Sequence, residues 1–382
     1  LTHIEILKEV RIMNPAEHLH ELGQSLWLDH ITRGLLSSGT LQRYLDRYAV
    51  TGLTSNPTIF DQAMRKTDFY DEAIHTKAAA GKSGEALFFE LALEDLAQAA
   101  DLFLPIHQAT GGRDGWVSLE VSPLLANDTS GTIRQAAQLC ARAGRPNLFI
   151  KIPGTPAGLN AIEESIFAGI PVNVTLLFSR EQYLAAADAY MRGIERRLVA
   201  GLGPKVGSVA SIFVSRWDVA VKDLAPASLR NQLGIAISRR SYRAYRELLV
   251  SPRWRKLAEA GAQEQRLLWA STGVKDPAAP DTMYVEALAA PDTINTLPEK
   301  TLLAFAEHGK VNSSMQAGGG DAEAVLGAFA QVGVDVVALA LQLQHEGVAS
   351  FGKSWQDLMD VLEKKSTTAS TTPAPGTAGE PR

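Results

Sequence analysis

The sequence predicts an α/β fold, a single (β/α)8 barrel with additional C-terminal helices, and three observations carry that expectation. Between about residues 20 and 300, short β-rich runs alternate with longer helical patterns, as repeated βα units around a parallel sheet require. Seven such runs are clear and an eighth is weaker. Within them, polar residues gather on one side of the two-residue alternation and apolar residues on the other. The length of 382 residues would suit two or three domains, yet barrels of this kind commonly reach about 250 residues or more as one unit.

The expected strands are Ser25–Ile31, Val50–Asn56, Trp116–Ser122, Leu148–Gly154, Pro171–Phe178, Val209–Ser215 and Leu267–Thr272, with the weaker eighth near Asp292–Thr296. Leu119 and Val121 oppose Ser118, Glu120 and Ser122 in the third, and Ile150 and Ile152 oppose Lys151 in the fourth. Val172, Val174 and Leu176 oppose Asn173 and Thr175; Ala210 and Ile212 oppose Ser211; Leu268 and Ala270 oppose Ser271. In a closed barrel the apolar face meets the helices and the polar face lines the interior, which would then hold Asp29, Glu120, Lys151, Asn173 and Thr175. An antiparallel sheet with one solvated face fits any single strand equally well; the intervening helical patterns argue against it. After the fifth strand, Leu184, Ala187, Met191, Ile194 and Leu198 share a helical face, and Ser179 with Gln182 forms a capping box. A second helix is expected over Ala322–Ala330.

Residues 1–12 read as an N-terminal extension ahead of Met13, residues 13–363 as the barrel, and 364–382, rich in Thr, Ser, Pro, Ala and Gly, as a disordered tail or linker. The formal charge of -5 comes with Lys and Arg interspersed among Asp and Glu, which disfavours nucleic acid as a partner. No apolar run approaches the roughly 18 residues of a membrane span. The single cysteine, Cys140, excludes an internal disulfide framework and argues against a zinc cluster, so a cytoplasmic setting and no bound metal are expected. The six tryptophans, among them Trp27, Trp116 and Trp269, read as core or mouth packing.

Lys151 stands mid-strand between two isoleucines, where desolvation works against an ammonium and favours the amine as a nucleophile. Such an amine adds to a ketone and forms a protonated imine, which withdraws electrons from the adjacent carbon-carbon bond. A lysine snorkelling from a strand end is the plain alternative. Asp29 and Glu120, on different strands but one inferred face, could carry protons around that imine or merely pair with the lysine. Two carboxylates together with Thr175 and Asn173 favour catalysis over a single structural ion pair.

The segments GLTSNPTIF (Gly52–Phe60), LFIKIPGT (Leu148–Thr155), NVTLLFS (Asn173–Ser179) and ASIFVSRWD (Ala210–Asp218) resemble the signature segments of transaldolases, and WASTGVKDP (Trp269–Pro277) resembles the long bacterial form. The resemblance spans about Met13 to Lys364. It implies a TIM barrel without a cofactor, acting on sugar phosphates in the pentose phosphate pathway. Dihydroxyacetone would pass from fructose 6-phosphate to erythrose 4-phosphate through a Schiff base. It also implies roles: Lys151 as the Schiff-base lysine, Asp29 as acid/base, Glu120 and Thr175 as the pair that positions a water. Asn56, Asn173, Ser211 and Phe213 would line the sugar, and Arg216, Ser271 and Lys275 the phosphate. The shorter family form has an arginine two residues after the serine, where this chain has Gly273 and then Lys275. An ammonium there keeps the charge without the bidentate fork. The rival readings are a fructose 6-phosphate aldolase, a non-catalytic sugar phosphate binding barrel, and the transaldolase part of a fusion with glucose-6-phosphate isomerase. A monomer or a homodimer is expected.

Overall fold

The computed structural model describes residues 13–368. Eight parallel strands close in sequence order: β1 (Ser25–Asp29), β2 (Val50–Thr54), β3 (Trp116–Glu120), β4 (Leu148–Pro153), β5 (Val172–Leu177), β6 (Ser208–Phe213), β7 (Arg266–Ala270) and β8 (Ile294–Leu297). β1 pairs with β8, so the sheet has no free edge, and helices follow the strands around the outside. The eight expected strands are all present. The weak one sits two residues late and runs to Leu297.

Many of the helices that leave the C-terminal ends of the strands begin on a capping side chain. Asn56 accepts from the Ile59 amide with Pro57 at the first helical position, Thr155 accepts from Gly158 ahead of Pro156, and Ser179 and Gln182 form the expected capping box. These caps satisfy otherwise orphaned amides and fix the helix start directly against the strand end. The barrel mouth is therefore built from short, fixed turns.

Val117, Leu119, Ile150, Ile152, Val172, Val174, Ala210 and Ile212 pack into the helix-facing core as the alternation requires. Two strands depart from it. In β5 the register shifts between Val174 and Leu177, and Leu176 takes a left-handed backbone with φ 57. Leu176 thereby leaves the face of Val172 and Val174 and joins Phe178, Phe213 and Phe351 in a second apolar cluster, while Leu177 takes the outward position. In β7 the outward residues are Leu267 and Trp269, and Leu268 and Ala270 face the barrel. Ser271, just past the strand, has φ 56 and so turns onto the same side as Leu268 and Ala270 rather than opposing them.

The inner face is layered. Near the N-terminal ends lie Trp27, Trp116 and Phe149, the last two stacked at 4.0 Å between ring centroids, above a polar network centred on Asp114. Asp114 accepts from the Trp27 indole at 2.7 Å and from Thr51 at 2.8 Å, and the buried Arg266 donates to Ser25 at 2.7 Å. The tryptophans Trp27 and Trp116 thus pack the end opposite the mouth, and Trp269 packs outward.

The helix Arg180–Val199 buries Ala187, Met191 and Ile194 as expected, with Leu198 packed against the core; Tyr183, Ala186 and Tyr190 widen that face, and Leu184 is exposed. The helix Ala322–Gln331 matches expectation within one residue. The C-terminal helix spans Val336–Thr368, so the expected boundary at 363 falls inside it. Lys365 bonds to the Thr67 carbonyl at 2.9 Å and to Asp71, holding this last turn to the barrel. Residues 1–12 and 369–382 lie outside the described residues. No single helix among the described residues is long and apolar enough to cross a membrane.

Candidate active site

The register places Glu120, Lys151 and Asn173 in one row across β3, β4 and β5. Lys151 is 5% exposed, its Nζ 3.3 Å from Glu120 Oε2 and 3.2 Å from the Ser55 carbonyl to which it donates. The contact with Glu120 is one of charge: neither carboxylate oxygen of Glu120 has a hydrogen-bond partner, and nor does the buried Thr175 hydroxyl two residues beyond Asn173. A carboxylate and a hydroxyl left in this condition suit a site that holds water or a substrate hydroxyl. Burial pushes the Glu120 carboxyl upward, and the nearby Lys151 charge opposes that rise.

Above this row lies a cavity of about 390 Å³ that opens at the C-terminal ends of the strands. Among the predicted site residues, Asp29, Asn56, Lys151, Ser211, Phe213, Arg216, Ser271 and Lys275 all line it. Asn173, Glu120 and Thr175 are buried and do not line it. Asn173 receives the Ser211 hydroxyl at 2.7 Å and donates to Ser118 at 3.1 Å, so it orients Ser211 as well as standing beside Lys151.

Asp29 ends β1 and accepts from Thr54 at 2.8 Å; Thr54 in turn bonds Thr296 at 2.8 Å. Burial raises its carboxyl above the ordinary aspartate range, with Lys151 and then the Thr54 hydroxyl pulling the other way. A carboxyl raised in this way holds a proton more readily than an ordinary aspartate, the property that a group taking and returning a proton needs. At the other side, the Arg216 guanidinium lies 5.6 Å over the Phe213 ring, and desolvation lowers its proton affinity. Among the described residues neither Arg216 nor Lys275 forms an ion pair, although the Glu346 charge acts on Arg216 and Lys275 acts on the Asp29 carboxyl, and both cations line the cavity. Ser271 is locked by its hydroxyl contact with Ser215 at 3.0 Å and by its carbonyl, which accepts from the Ser215 amide at 3.0 Å.

One cavity thus holds an amine, a carboxyl and two cationic side chains. A sequence model described as Transaldolase/Fructose-6-phosphate aldolase matches residues 26–362. The chain belongs to this family. Its relatives include a transaldolase of Arthrobacter sp. (strain FB24), 45% identical over 91% of this chain and 96% of the relative. Transaldolase 1 of Streptomyces avermitilis is 44% identical over 92% and 97%, and a transaldolase of Thermobifida fusca (strain YX) 45% over 91% and 97%.

Sequence reasoning did not find every residue that this transaldolase-family site uses. Thr54, Thr58 and Ile59 line the cavity from within the Gly52–Phe60 segment, Gln62 follows one turn on, and Thr296 and Pro298 come from β8 and its turn. The first three lay inside a segment already singled out; no spacing rule set Gln62 or Pro298 apart. Phe351 lines the cavity from the C-terminal helix, more than 50 residues past β8, and nothing in the local sequence connects it with Lys151.

Proposed function

We propose that the chain is a transaldolase that moves dihydroxyacetone from a ketose phosphate, fructose 6-phosphate or sedoheptulose 7-phosphate, to an aldose phosphate, erythrose 4-phosphate or glyceraldehyde 3-phosphate. The observation that carries this reading is the buried Lys151 amine, 3.3 Å from Glu120 and in one cavity with Asp29. Lys151 Nζ attacks the ketone carbon, and loss of water gives the imine. Glu120 and Thr175, both with unpartnered oxygens, hold the water of that step. Asp29 takes the proton of the hydroxyl on the carbon being released, the carbon-carbon bond breaks, and its electrons pass into the imine to give an enamine on Lys151. Glyceraldehyde 3-phosphate leaves, an acceptor aldehyde takes its place, and the same steps run in reverse.

Asn56, whose amide oxygen caps a helix, turns its amide nitrogen to the sugar; Ser211, held by Asn173, meets a hydroxyl. Arg216, Ser271 and Lys275 take the phosphate. We place the activity in the cytoplasm, a reading supported by the lone, half-buried Cys140, whose thiol burial pushes upward and makes less reactive.

Fructose 6-phosphate aldolase activity is the neighbouring reading, and one assay separates the two. With fructose 6-phosphate and erythrose 4-phosphate together, sedoheptulose 7-phosphate is the expected product, and omitting erythrose 4-phosphate should nearly stop turnover. Equal turnover without the acceptor, with free dihydroxyacetone accumulating, would assign the aldolase reaction instead.

A further inference from the structure

The C-terminal helix crosses the barrel mouth with one face held down at two polar anchors. Gln344, buried, donates to the carbonyls of Gly154 and Leu176 at 3.0 Å each, at the ends of β4 and β5. Ser354 bonds Thr58, itself a cavity residue, at 2.8 Å. Between them, Gly347 lets the helix approach Leu176 so closely that an added Cβ would stand 2.9 Å from its Cδ2. Residues 344, 347, 351 and 354 recur at helical spacing and share this face.

Phe351 lies between the anchors. It is 5% exposed, its ring 6.5 Å from Phe213 and 6.0 Å from Lys151 Nζ, and it lines the same cavity as Asp29. Resting on the proposed transaldolase chemistry, we propose that Phe351 is a specificity-determining residue that keeps proton-donating water, other than the one held by Glu120 and Thr175, from the enamine carbon on Lys151, so that the three-carbon unit waits for an aldehyde instead of being released.

The competing reaction is simple to balance. Protonation of the enamine carbon restores the imine, and one water then hydrolyses it to dihydroxyacetone and the free Lys151 amine. The net outcome is cleavage of fructose 6-phosphate into glyceraldehyde 3-phosphate and dihydroxyacetone. A phenyl ring can neither deliver the proton nor hold the water, and it fills the space that water would occupy. The cationic imine in turn gains from the ring face. The two anchors hold the ring in place between rounds of acceptor entry.

The test compares Phe351→Ala and Phe351→Leu with the unmodified chain, measuring dihydroxyacetone release from fructose 6-phosphate alone and transfer to erythrose 4-phosphate. Phe351→Ala should raise the ratio of release to transfer by about tenfold, the lower end of what one apolar contact discriminates in a pocket, with Phe351→Leu in between. Thermal melting reports whether either variant is folded, and Phe351→Leu, which preserves most of the volume, decides if Phe351→Ala melts early. An unchanged ratio in a folded variant that still transfers would overturn the proposal and leave Phe351 as packing. If the unmodified chain itself transfers nothing to erythrose 4-phosphate, the transaldolase reading fails, independently of Phe351.

Discussion

Ser271 and Leu176 show how two backbone angles redirect side chains that a strict alternation would send elsewhere. Both are non-glycine residues with positive φ, a conformation that costs about 1–3 kcal/mol each and persists where neighbours hold it. The Leu176 carbonyl is held by Gln344, and Ser271 by Ser215. Neither turn could be read in the sequence, because nothing in a leucine or a serine announces it. Lys151, Asp29 and Glu120 were legible because each sits on the face that the alternation of its strand predicts, the register shift in the first strand falling earlier, between Leu26 and Trp27. The phosphate side was legible in part. Arg216 is partly buried and Lys275 exposed, and neither forms an ion pair among the described residues. Arg216→Ala should therefore raise KM for fructose 6-phosphate by roughly one to two decades, the loss of a hydrogen-bonded charged contact. Lys275→Ala should give a smaller rise, since an ammonium is a point charge on a flexible stem. Unphosphorylated fructose serves as the control and should be nearly indifferent to both. Equal losses for the two sugars would remove the anion clamp from this wall.

At the scale of elements, capping chemistry was the most informative local signal. Ser179 with Gln182 marked a helix start that the structure places at Arg180. The buried face of that same helix was less legible, because its alanines and tyrosines contribute as much to packing as its leucines, and Leu184 is left exposed. β7 was misread for a related reason: Leu267, Leu268, Trp269 and Ala270 are all apolar, so the alternation carries no contrast. The junction after β4 gives a direct test of how tightly element positions are fixed. A Cβ added at Gly158 would fall far inside the van der Waals contact of the Pro153 carbonyl oxygen, which belongs to the strand carrying Lys151. Gly158→Ala is expected to destabilise the protein by about 1–3 kcal/mol, as overpacking of a rigid site does, measured by denaturant unfolding. Unchanged stability would mean that the helix Pro156–Phe167 can slide on β4 without cost.

For the whole molecule, barrel closure follows from eight strands in sequence order with helices between them, and that much was readable from the alternation of runs alone. The reach of the C-terminal helix was not. Its contacts with Gly154, Leu176 and Thr58 join residues 168 to 296 positions apart, and no local pattern encodes such pairings. Closure brings Asp29, from the first strand, into one cavity with Lys151 from the fourth and Arg216 from the short helix Ser215–Ala220 after the sixth, and only the folded barrel brings these three together. The Lys151 amine is the centre of the proposed chemistry. The most direct measurement is borohydride reduction of the intact protein in the presence of fructose 6-phosphate, followed by peptide mapping. A three-carbon adduct on the peptide containing Lys151, absent from Lys151→Arg, is the predicted result; substrate trapped on another lysine, or none trapped while transfer proceeds, would contradict it.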